Sequence, residues 1–285
     1  MKISIITVVL NDLNGIRSTA QSVLSQEGGD YEYVILDGES GDGTWEYIES
    51  LDFKGVKKRM HDTGIYNAMN NAVRIANGEY VLFLNAGDTF FDSNVLAKAT
   101  EVIGEKDFYV GHTMEIGKTT YKGYAPEVLS LDYLMKHSVY HQSTFIRRKL
   151  LLDNPYNEMH KVVSDWEFFF ERWFDGCTYG MLNFFVSNYY LGGFSYLHKN
   201  LMVKEREEVK EKMLQKGIDI ICSDEASDFL GLGESLRSTI KAVFKEKEML
   251  IVKRRKHNRI IRILVYICIL LLIANIVLLI VNLHT

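Results

Sequence analysis

The sequence predicts an α/β fold, in which helices flank a mostly parallel sheet, followed by a C-terminal helical membrane segment. Over the first 111 residues, short apolar runs alternate with segments of helical spacing, and the connections are short. Such alternation is typical of parallel strands joined by right-handed helical crossovers. The chain has 285 residues, which is enough for one large domain with appendages, and a long uncharged run lies near its end.

The predicted strands are short apolar or β-branched runs, and the predicted helices carry apolar residues on one face. In the first half, strands are predicted at 3–9, 31–36, 56–60, 80–84 and 108–110, and helices at 11–26, 43–51, 65–76 and 95–103. In the second half, we expect a hairpin at 113–124, strands at 142–146 and 178–191, and helices at 165–174, 199–216 and 225–256. The run 80–84 is apolar throughout, which predicts a strand buried on both faces.

Composition excludes several classes of partner and site. The net charge is only -4, which argues against nucleic acid as a dominant partner. The three cysteines are far apart, so they suit a reducing compartment and indicate neither a disulfide framework nor a zinc site. Leu10, Asn11 and Asp12 follow the first predicted strand, where a glycine-rich dinucleotide fingerprint would stand. A nicotinamide or flavin site is therefore not expected.

The segment 259–285 is predicted to be a transmembrane or membrane-anchoring helix. Residues 263–283 carry no charge, and as a helix they would extend about 31 Å, close to the hydrocarbon thickness of a bilayer. Basic residues lie directly before this run, at Lys253, Arg254, Arg255, Lys256, Arg259 and Arg262. This bias predicts an inner-membrane protein whose preceding residues face the cytoplasm, near anionic lipid head groups. A helix that lies in the interface without crossing is the alternative.

Polar side chains lie near the ends of four of the predicted strands. They are Thr7 with Asn11, then Asp37, Asp62 and Asp88. The carboxyl ends of parallel strands share one edge of a sheet, where ligands of such folds bind. A carboxylate such as Asp88 can hold a divalent cation against a diphosphate there. The simpler alternative, that each residue closes a turn or caps a helix, must then hold at four places.

A series of motifs in the first 90 residues resembles the family 2 glycosyltransferases of GT-A fold, especially bacterial enzymes of capsule, exopolysaccharide or O-antigen biosynthesis. The motifs are Thr-Val-Val-Leu-Asn at 7–11, Ser-Val-Leu-Ser-Gln at 22–26, Tyr-Val-Ile-Leu-Asp-Gly at 33–38, Ser-Gly-Asp-Gly-Thr at 40–44, Asp-Thr-Gly-Ile-Tyr-Asn-Ala-Met-Asn at 62–70, Ala-Asn-Gly-Glu-Tyr at 76–80 and Phe-Leu-Asn-Ala-Gly-Asp at 83–88. Together they are specific, whereas each alone is weak. Beyond residue 90 the resemblance is sparser, and it extends to about residue 195.

The resemblance implies a nucleotide-diphosphate sugar as donor and Mg²⁺ or Mn²⁺ as cofactor. It implies donor-binding roles for Thr7, Val9, Asn11, Asp37, Asp62, Asn85 and Asp88. Asp88 matches the last carboxylate of the family's acidic motif and would bind the metal. The chain departs from that motif at Asn85 and Gly87, where relatives carry more carboxylates, so the diphosphate must complete the coordination. His198, just after Gly192-Gly193-Phe194-Ser195, is a further candidate for the metal or diphosphate.

The same resemblance implies a catalytic base in the second half of the chain. Asp165 opens a predicted helix within Val163-Ser164-Asp165-Trp166-Glu167-Phe168 and matches the aspartate that deprotonates the acceptor hydroxyl in inverting transfer. Glu167 is the reserve candidate, and a helix-capping role for Ser164 or Asp165 is the alternative. His141 and Gln142 match a segment lining the acceptor side, and a structural role of the histidine is the alternative.

The sequence therefore predicts a membrane-anchored inverting glycosyltransferase with a lipid-linked sugar as acceptor. We expect a catalytic domain at 1–198, with a donor half at 1–111 and an acceptor half at 112–198. A helical extension at 199–258 would lead to the anchor at 259–285. One alternative is a nucleotidyltransferase, although Leu10–Gly15 lacks a basic glycine-rich phosphate loop. Another is a non-catalytic membrane-anchored sugar-binding or assembly subunit.

Overall fold

A computed structural model of the protein describes residues 2–221 and 223. The strands of this part are β1 (Ile3–Val9), β2 (Tyr31–Asp37), β3 (Gly55–Arg59), β4 (Tyr80–Phe83), β5 (Thr89–Phe90), β6 (Phe108–Ile116), β7 (Thr120–Gly123), β8 (Thr144–Arg147) and β9 (Tyr179–Tyr190). The helices are α1 (Leu13–Leu24), α2 (Thr44–Ser50), α3 (Ile65–Ile75), α4 (Val95–Val102), α5 (Leu131–Lys136), α6 (Arg148–Asp153), α7 (Ser164–Phe174), α8 (Phe194–Leu197) and α9 (Lys199–Ile221). A short 3-10 helix covers His141–Ser143.

The first four long strands form the parallel part of the sheet. Their order is β3-β2-β1-β4, and every pairing among them is parallel. The helix that follows each of the first three strands makes the crossover to the next one, as the alternating sequence predicted. Their carboxyl ends consequently meet at one edge.

The second part of the sheet is mixed, so the prediction of a mostly parallel sheet is wrong there. β8 lies between β4 and β6 and runs antiparallel to both. β6 turns directly into β7 through a hairpin, and β9 returns parallel to β6. The strand–helix alternation that imposes parallel pairing ends at β6, which is why the prediction did not extend further.

The strand β4 is buried on both faces, which confirms the prediction from its apolar sequence. All four of its residues are completely inaccessible to solvent, and β1 and β8 pair with its two sides. Because both faces of the sheet are packed in the core at β4, the polar residues Asn85 and Asp88 lie beyond the carboxyl end of this strand and not along it. Leu84, just after β4, is equally buried, so the chain stays in the core until it reaches Asn85.

Some of the predicted elements differ from the structure or lie outside the part that it describes. The strand expected at 142–146 begins at Thr144, because His141–Ser143 forms a 3-10 helix. Within residues 2–221, no helix is long and apolar enough to cross a bilayer. The helix predicted at 225–256 and the membrane segment predicted at 259–285 lie outside the described residues. The chain divides into two compact units, residues 1–210 and 211–285.

Candidate active site

The structure places the acidic residues of the donor half at the carboxyl ends of successive parallel strands. Asp37 is the last residue of β2, and Asp62 and Asp88 follow β3 and β4. Asn11 follows β1 and has a left-handed backbone conformation, with φ of 51°. Its side-chain oxygen accepts a hydrogen bond from the backbone N–H of Gly41 at 2.9 Å. This turn brings the 40–44 segment beside the end of β1.

Asp37 has one carboxylate oxygen engaged and one without a partner. The residue is completely buried, and its Oδ2 accepts the backbone N–H of Ser40 at 3.0 Å and lies 3.5 Å from Nε of Arg59. Its Oδ1 is buried and has no hydrogen-bond partner among the described residues. A buried carboxylate oxygen without a donor is costly unless a ligand supplies one. Asp37 therefore presents an acceptor suited to an N–H group of a nucleotide base.

Asp62 lies against Gly38, directly beside Asp37. A Cβ atom on Gly38 would come within 2.5 Å of Oδ2 of Asp62, so a larger residue at position 38 would displace the Asp62 side chain from this position. The other oxygen of Asp62 accepts the backbone N–H of Gly64 at 2.9 Å. The structure thus brings Asp37 and Asp62 to the same corner of the edge.

Thr7 and Val9 contribute to this edge from within β1. The Thr7 hydroxyl is fully buried, donates to the Leu84 carbonyl at 2.6 Å and lies 3.0 Å from the Tyr33 hydroxyl. It therefore joins β1 to the chain after β4. Val9 is also buried and lies opposite Asp37 in the β1–β2 register. Direct donor contacts by Thr7 and Val9 stay predictions.

Asp88 lies in an environment that disfavours its charge. It is 7% exposed, and burial raises its pKa to about 7, although the charge of His141 and hydrogen bonds from Tyr190 and Gln142 act in the opposite direction. The Tyr190 backbone N–H is at 3.4 Å. The hydrogen bonds from Tyr190 and Gln142 do not fully compensate for the hydration that the Asp88 carboxylate loses on burial. Such a carboxylate is poised to accept a cation.

Each oxygen of Asp165 accepts a hydrogen bond from a side chain of a distant segment, and the backbone N–H of Trp166 also bonds to the carboxylate. The Tyr66 hydroxyl donates to Oδ1 at 2.8 Å, and Nδ1 of His141 donates to Oδ2 at 2.8 Å. Burial alone would raise the pKa of Asp165, but these bonds and the charge of His141 lower it below its usual value. Asp165 is therefore ionised at neutral pH and fixed in orientation.

Asp165 does not serve as the cap of its helix. The residue before α7 is Val163, which makes no side-chain capping bond, and Asp165 lies within the first turn. The carboxylate instead reaches α3 through Tyr66 and the 3-10 helix through His141. The alternative that Asp165 caps the helix is not supported by these contacts.

His141 connects the two halves of the site. Its Nδ1 contacts Asp165, and its Nε2 lies 3.5 Å from Nδ2 of Asn85, in the turn after β4. Burial would lower the pKa of His141, but the hydrogen bond to Asp165 and the charges of Asp165 and Asp88 raise it. The 3-10 helix also supplies Gln142, which bonds to Asp88. The carboxyl-end edge of the sheet that carries Asp37, Asp62 and Asp88 is called the donor edge below. The short 3-10 helix therefore contacts both this donor edge and Asp165.

Glu167 belongs to a different cluster from Asp165. It is 2% exposed, and its Oε2 accepts from Asn157 Nδ2 at 2.9 Å and His160 Nδ1 at 2.7 Å. Side chains two residues apart on a helix do not share a face. This placement favours Asp165 over Glu167 as the residue that meets an acceptor.

His198 lies between α8 and α9 and is exposed. Its ring stacks on Phe194 with centroids 4.0 Å apart, and Nδ1 lies 2.8 Å from the Phe194 carbonyl oxygen. Within the described residues, no three His, Cys, Asp or Glu side chains gather as a metal site. A metal role of His198 stays a prediction.

The turn after β4 has acceptor oxygens that fit a divalent cation. Asn85 Oδ1 is buried and has no hydrogen-bond partner among the described residues. Asp88, three positions later, has a carboxylate whose loss of hydration is not fully compensated. Oxygen ligands of this kind suit Mg²⁺ or Mn²⁺, which usually also take substrate phosphates as ligands. These two residues fit a metal that the diphosphate helps to hold.

The fold of residues 2–221 is that of GT-A sugar-transferring enzymes. The Staphylococcus aureus TarS 1-349 structure in complex with UDP-GlcNAc superposes with a TM-score of 0.61 over 86% of this chain and 71% of that chain, at 20% identity. The family model for glycosyl transferase family 2 matches residues 4–164, which is more than half of the sequence. The protein belongs to glycosyltransferase family 2.

Two relatives carry names that describe their activity. A Mycobacterium bovis PGL/p-HBAD biosynthesis glycosyltransferase is 33% identical over 174 residues, covering 58% of this chain and 67% of that protein. The Escherichia coli UDP-Glc:alpha-D-GlcNAc-diphosphoundecaprenol beta-1,3-glucosyltransferase WfaP is 30% identical over 109 residues, covering 38% of this chain and 43% of that protein. The protein is accordingly a glycosyltransferase.

Tyr66 is the site residue that the sequence reasoning missed. It lies in the first turn of α3 and contacts Asp165, 99 positions later. Tyr66 stands within the motif at 62–70, for which the resemblance implies a donor role of Asp62 alone. No local pattern predicts that a tyrosine on α3 meets a carboxylate on α7.

Proposed function

We propose that the protein is an inverting glycosyltransferase that moves a sugar from a UDP-sugar to a hydroxyl of a lipid-linked glycan. The observation that carries this proposal is the pair of differently tuned carboxylates on either side of His141. Asp88 has a raised pKa and Asp165 a lowered one. Two carboxylates with opposite shifts are suited to separate tasks in one reaction.

The donor would bind along the edge formed by the parallel strands. The free Oδ1 of Asp37 would accept the N3–H of uracil as a charge-assisted hydrogen bond. Uridine is favoured because WfaP is named for UDP-Glc and TarS is seen with UDP-GlcNAc. Asp62, next to Asp37, would face the ribose. The diphosphate would then extend toward Asn85 and Asp88.

Asn85 and Asp88 would hold Mg²⁺ or Mn²⁺ together with the diphosphate. When bound, such a metal neutralises the charge that develops on the departing diphosphate. Asp88 must lose its proton to serve as a ligand, and its pKa of about 7 makes that loss sensitive to pH near neutrality. The protein's own contribution is to keep both side chains in the turn after β4, with the Asn85 Oδ1 free of donors among the described residues and the Asp88 carboxylate only partly compensated by Tyr190 and Gln142.

Asp165 would accept the proton of the acceptor hydroxyl. As the hydroxyl oxygen forms its bond to the anomeric carbon, the bond from that carbon to the diphosphate breaks, and the hydroxyl proton passes to Asp165. Tyr66 and His141 would keep the carboxylate ionised and oriented for this transfer. Attack from the face opposite the leaving group inverts the anomeric centre.

We place the reaction at the cytoplasmic face of the inner membrane. The basic residues at 253–262 and the uncharged run 263–283 support this location, because they favour an anionic membrane surface and an apolar core. WfaP, by its name, acts on a diphosphoundecaprenol-linked sugar. An anchored enzyme and a lipid-linked acceptor meet in the same plane.

The direct test is a transfer assay with UDP-glucose or UDP-N-acetylglucosamine and a synthetic polyprenyl-diphosphate-linked N-acetylglucosamine, with Mn²⁺ or with EDTA. We expect a metal-dependent product whose new linkage is β when the donor is α, seen in the coupling of its anomeric proton. Full activity in both Asp88→Asn and Asp165→Asn would refute the mechanism. An α-linked product would refute inversion.

A broader screen would identify the donor. Thermal shifts should be measured with UDP-glucose, UDP-N-acetylglucosamine, GDP-mannose, UDP and GDP, each with and without Mn²⁺. A ligand raises the melting temperature according to its concentration and affinity, so the correct donor should give the largest shift. A larger shift with GDP than with UDP would refute the choice of uridine.

A further inference from the structure

The helix α9 holds the segment that leads into α7. Glu205 of α9 is 4% exposed, and its carboxylate accepts three consecutive backbone N–H groups. The donors are Lys161 at 2.7 Å on Oε1, and Val162 at 2.9 Å and Val163 at 3.2 Å on Oε2. Hydrogen bonds to an ionised acceptor are stronger than neutral ones, and leaving this carboxylate without them would be costly.

Neighbouring residues of α9 contact the same region. The Arg206 guanidinium lies over the Trp166 ring, 4.9 Å from its centroid. Glu208 lies 3.6 Å from Nε2 of His160, whose other nitrogen contacts Glu167. Because Glu208 is half exposed, its pair with His160 contributes little by itself. Together, the contacts of Glu205, Arg206 and Glu208 hold the backbone before α7 and the Trp166 ring in its first turn.

The position of Asp165 depends on this attachment. Val163 immediately precedes α7 and makes no side-chain cap of its own, so the chain enters the helix through the residues that Glu205 binds. Tyr66 and His141 orient the end of the Asp165 side chain, but its Cα is set by the backbone two positions earlier. We propose that Glu205 is a positioning residue for Asp165. This role rests on the proposed function of Asp165 as the base.

The chemistry of the three bonds offers a sharp substitution. Because one oxygen of Glu205 accepts one N–H and the other accepts two, both must be acceptors. In Glu205→Gln, an NH₂ group replaces one of them and meets a donor, while the size of the side chain is unchanged. Glu205→Asp keeps both acceptors on a shorter side chain. Glu211→Gln is the matched control, since Glu211 is exposed on the same helix.

The experiment compares these variants in the full-length protein. With the synthetic polyprenyl-diphosphate-linked N-acetylglucosamine as acceptor, the rate of UDP release from UDP-glucose and from UDP-N-acetylglucosamine is measured, and is divided by the number of UDP-binding sites found by calorimetry. We expect kcat of Glu205→Gln to fall by about 10-fold to 100-fold, because small displacements of a reacting group are costly. The KM for the donor and the Kd for UDP should change less than about twofold, since donor contacts are on other elements.

A general loss of structure predicts a different result. It would lower the number of UDP-binding sites but leave kcat per site unchanged, and Glu205→Asp would offer no rescue. A kcat per site in Glu205→Gln equal to that in Glu211→Gln would overturn the proposal. So would equal losses in Glu205→Gln and Glu205→Asp, since the retained carboxylate should restore part of the rate.

Hydrogen exchange separates this proposal from the proposed function. The amides of residues 161–163 should exchange faster in Glu205→Gln than in the wild type or Glu211→Gln, because their acceptor is lost. Unchanged exchange would refute the attachment itself. If the wild-type protein turned over neither donor, the proposed function would fail, and the catalytic role of Glu205 would fail with it even if the exchange result held.

Discussion

The donor edge and the base cluster, which consists of Asp165, Tyr66 and His141, are built in different ways. At the donor edge, Asp37 ends β2, and Asp62 and Asp88 follow β3 and β4, so the parallel sheet brings these residues to one edge. The base cluster instead depends on contacts between distant segments, such as the hydrogen bond from Tyr66 to Asp165. The first region is therefore fixed by the topology of the sheet, and the second by side-chain packing. Substitutions should therefore separate donor binding from transfer.

The largest effect is expected from Asp165→Asn. An amide cannot take the acceptor proton, so kcat should fall by about 10³-fold, within the range for loss of a general base. The Kd for UDP should be unchanged, because Asp165 belongs to the base cluster. Transfer kinetics and calorimetry measure the two quantities. A weaker affinity for UDP with unchanged kcat would contradict the separation of the two regions.

The second-largest effect is expected in the pH dependence of metal binding at the donor edge. Because the pKa of Asp88 is raised to about 7, protons compete with the metal below that pH. The affinity for Mn²⁺ in the presence of UDP should fall by about 10-fold per pH unit below 7. Calorimetry between pH 5.5 and about 8 would test this. A pH-independent affinity would refute Asp88 as a metal ligand.

Asp88→Asn supplies the control for that titration. A carboxyl group whose pKa is higher in the folded than in the unfolded state stabilises the fold at low pH and loses this contribution as the pH rises through the folded pKa. In the metal-free wild type, Asp88 should therefore contribute up to ~4 kcal/mol of stability at about pH 4 that is lost by about pH 8, from a shift of about three pKa units. Asp88→Asn should show a smaller decline, measured by urea unfolding.

A smaller effect is expected from Asp37→Asn. One carboxylate oxygen would become an NH₂ group, which either faces the base N–H or opposes the backbone N–H of Ser40. The Kd for UDP should rise by about 10-fold, since hydrogen bonds to charged groups contribute about 1.5–3 kcal/mol. The kcat at saturating donor should change much less. A loss confined to kcat would contradict the assignment of Asp37 to the donor edge.

The smallest effect is expected from Tyr66→Phe. It removes one hydrogen bond to Asp165 and leaves the His141 contact in place, so kcat should fall by about fivefold, equivalent to about 1 kcal/mol. The pKa of Asp165 should rise, because a bond to its ionised form is lost. The acid limb of the rate profile would then move to higher pH. An unchanged limb would show that His141 alone sets the ionisation of Asp165.

These two regions also differ in how far the sequence predicts them. The parallel strands and the donor residues that follow them could be located from apolar periodicity, because each residue lies next to its strand in the chain. Asp165 could be named only through a family resemblance. Its partners could not be inferred, since nothing local relates Tyr66 to α7 or Glu205 to Val163. The pairing in the mixed part of the sheet could not be predicted for the same reason, because β8 lies between β4 and β6 and is out of sequence order there.

The attachment of α9 has a practical consequence for shortening the protein. The catalytic domain was expected to end at residue 198, which is seven residues before Glu205. A shortened enzyme ending there would keep the donor edge but lose the acceptor for three backbone N–H groups. Such a fragment should bind nucleotide while transferring sugar poorly. A fragment ending after residue 210 retains Glu205, Arg206 and Glu208, and should therefore keep the transfer activity that the shorter fragment loses.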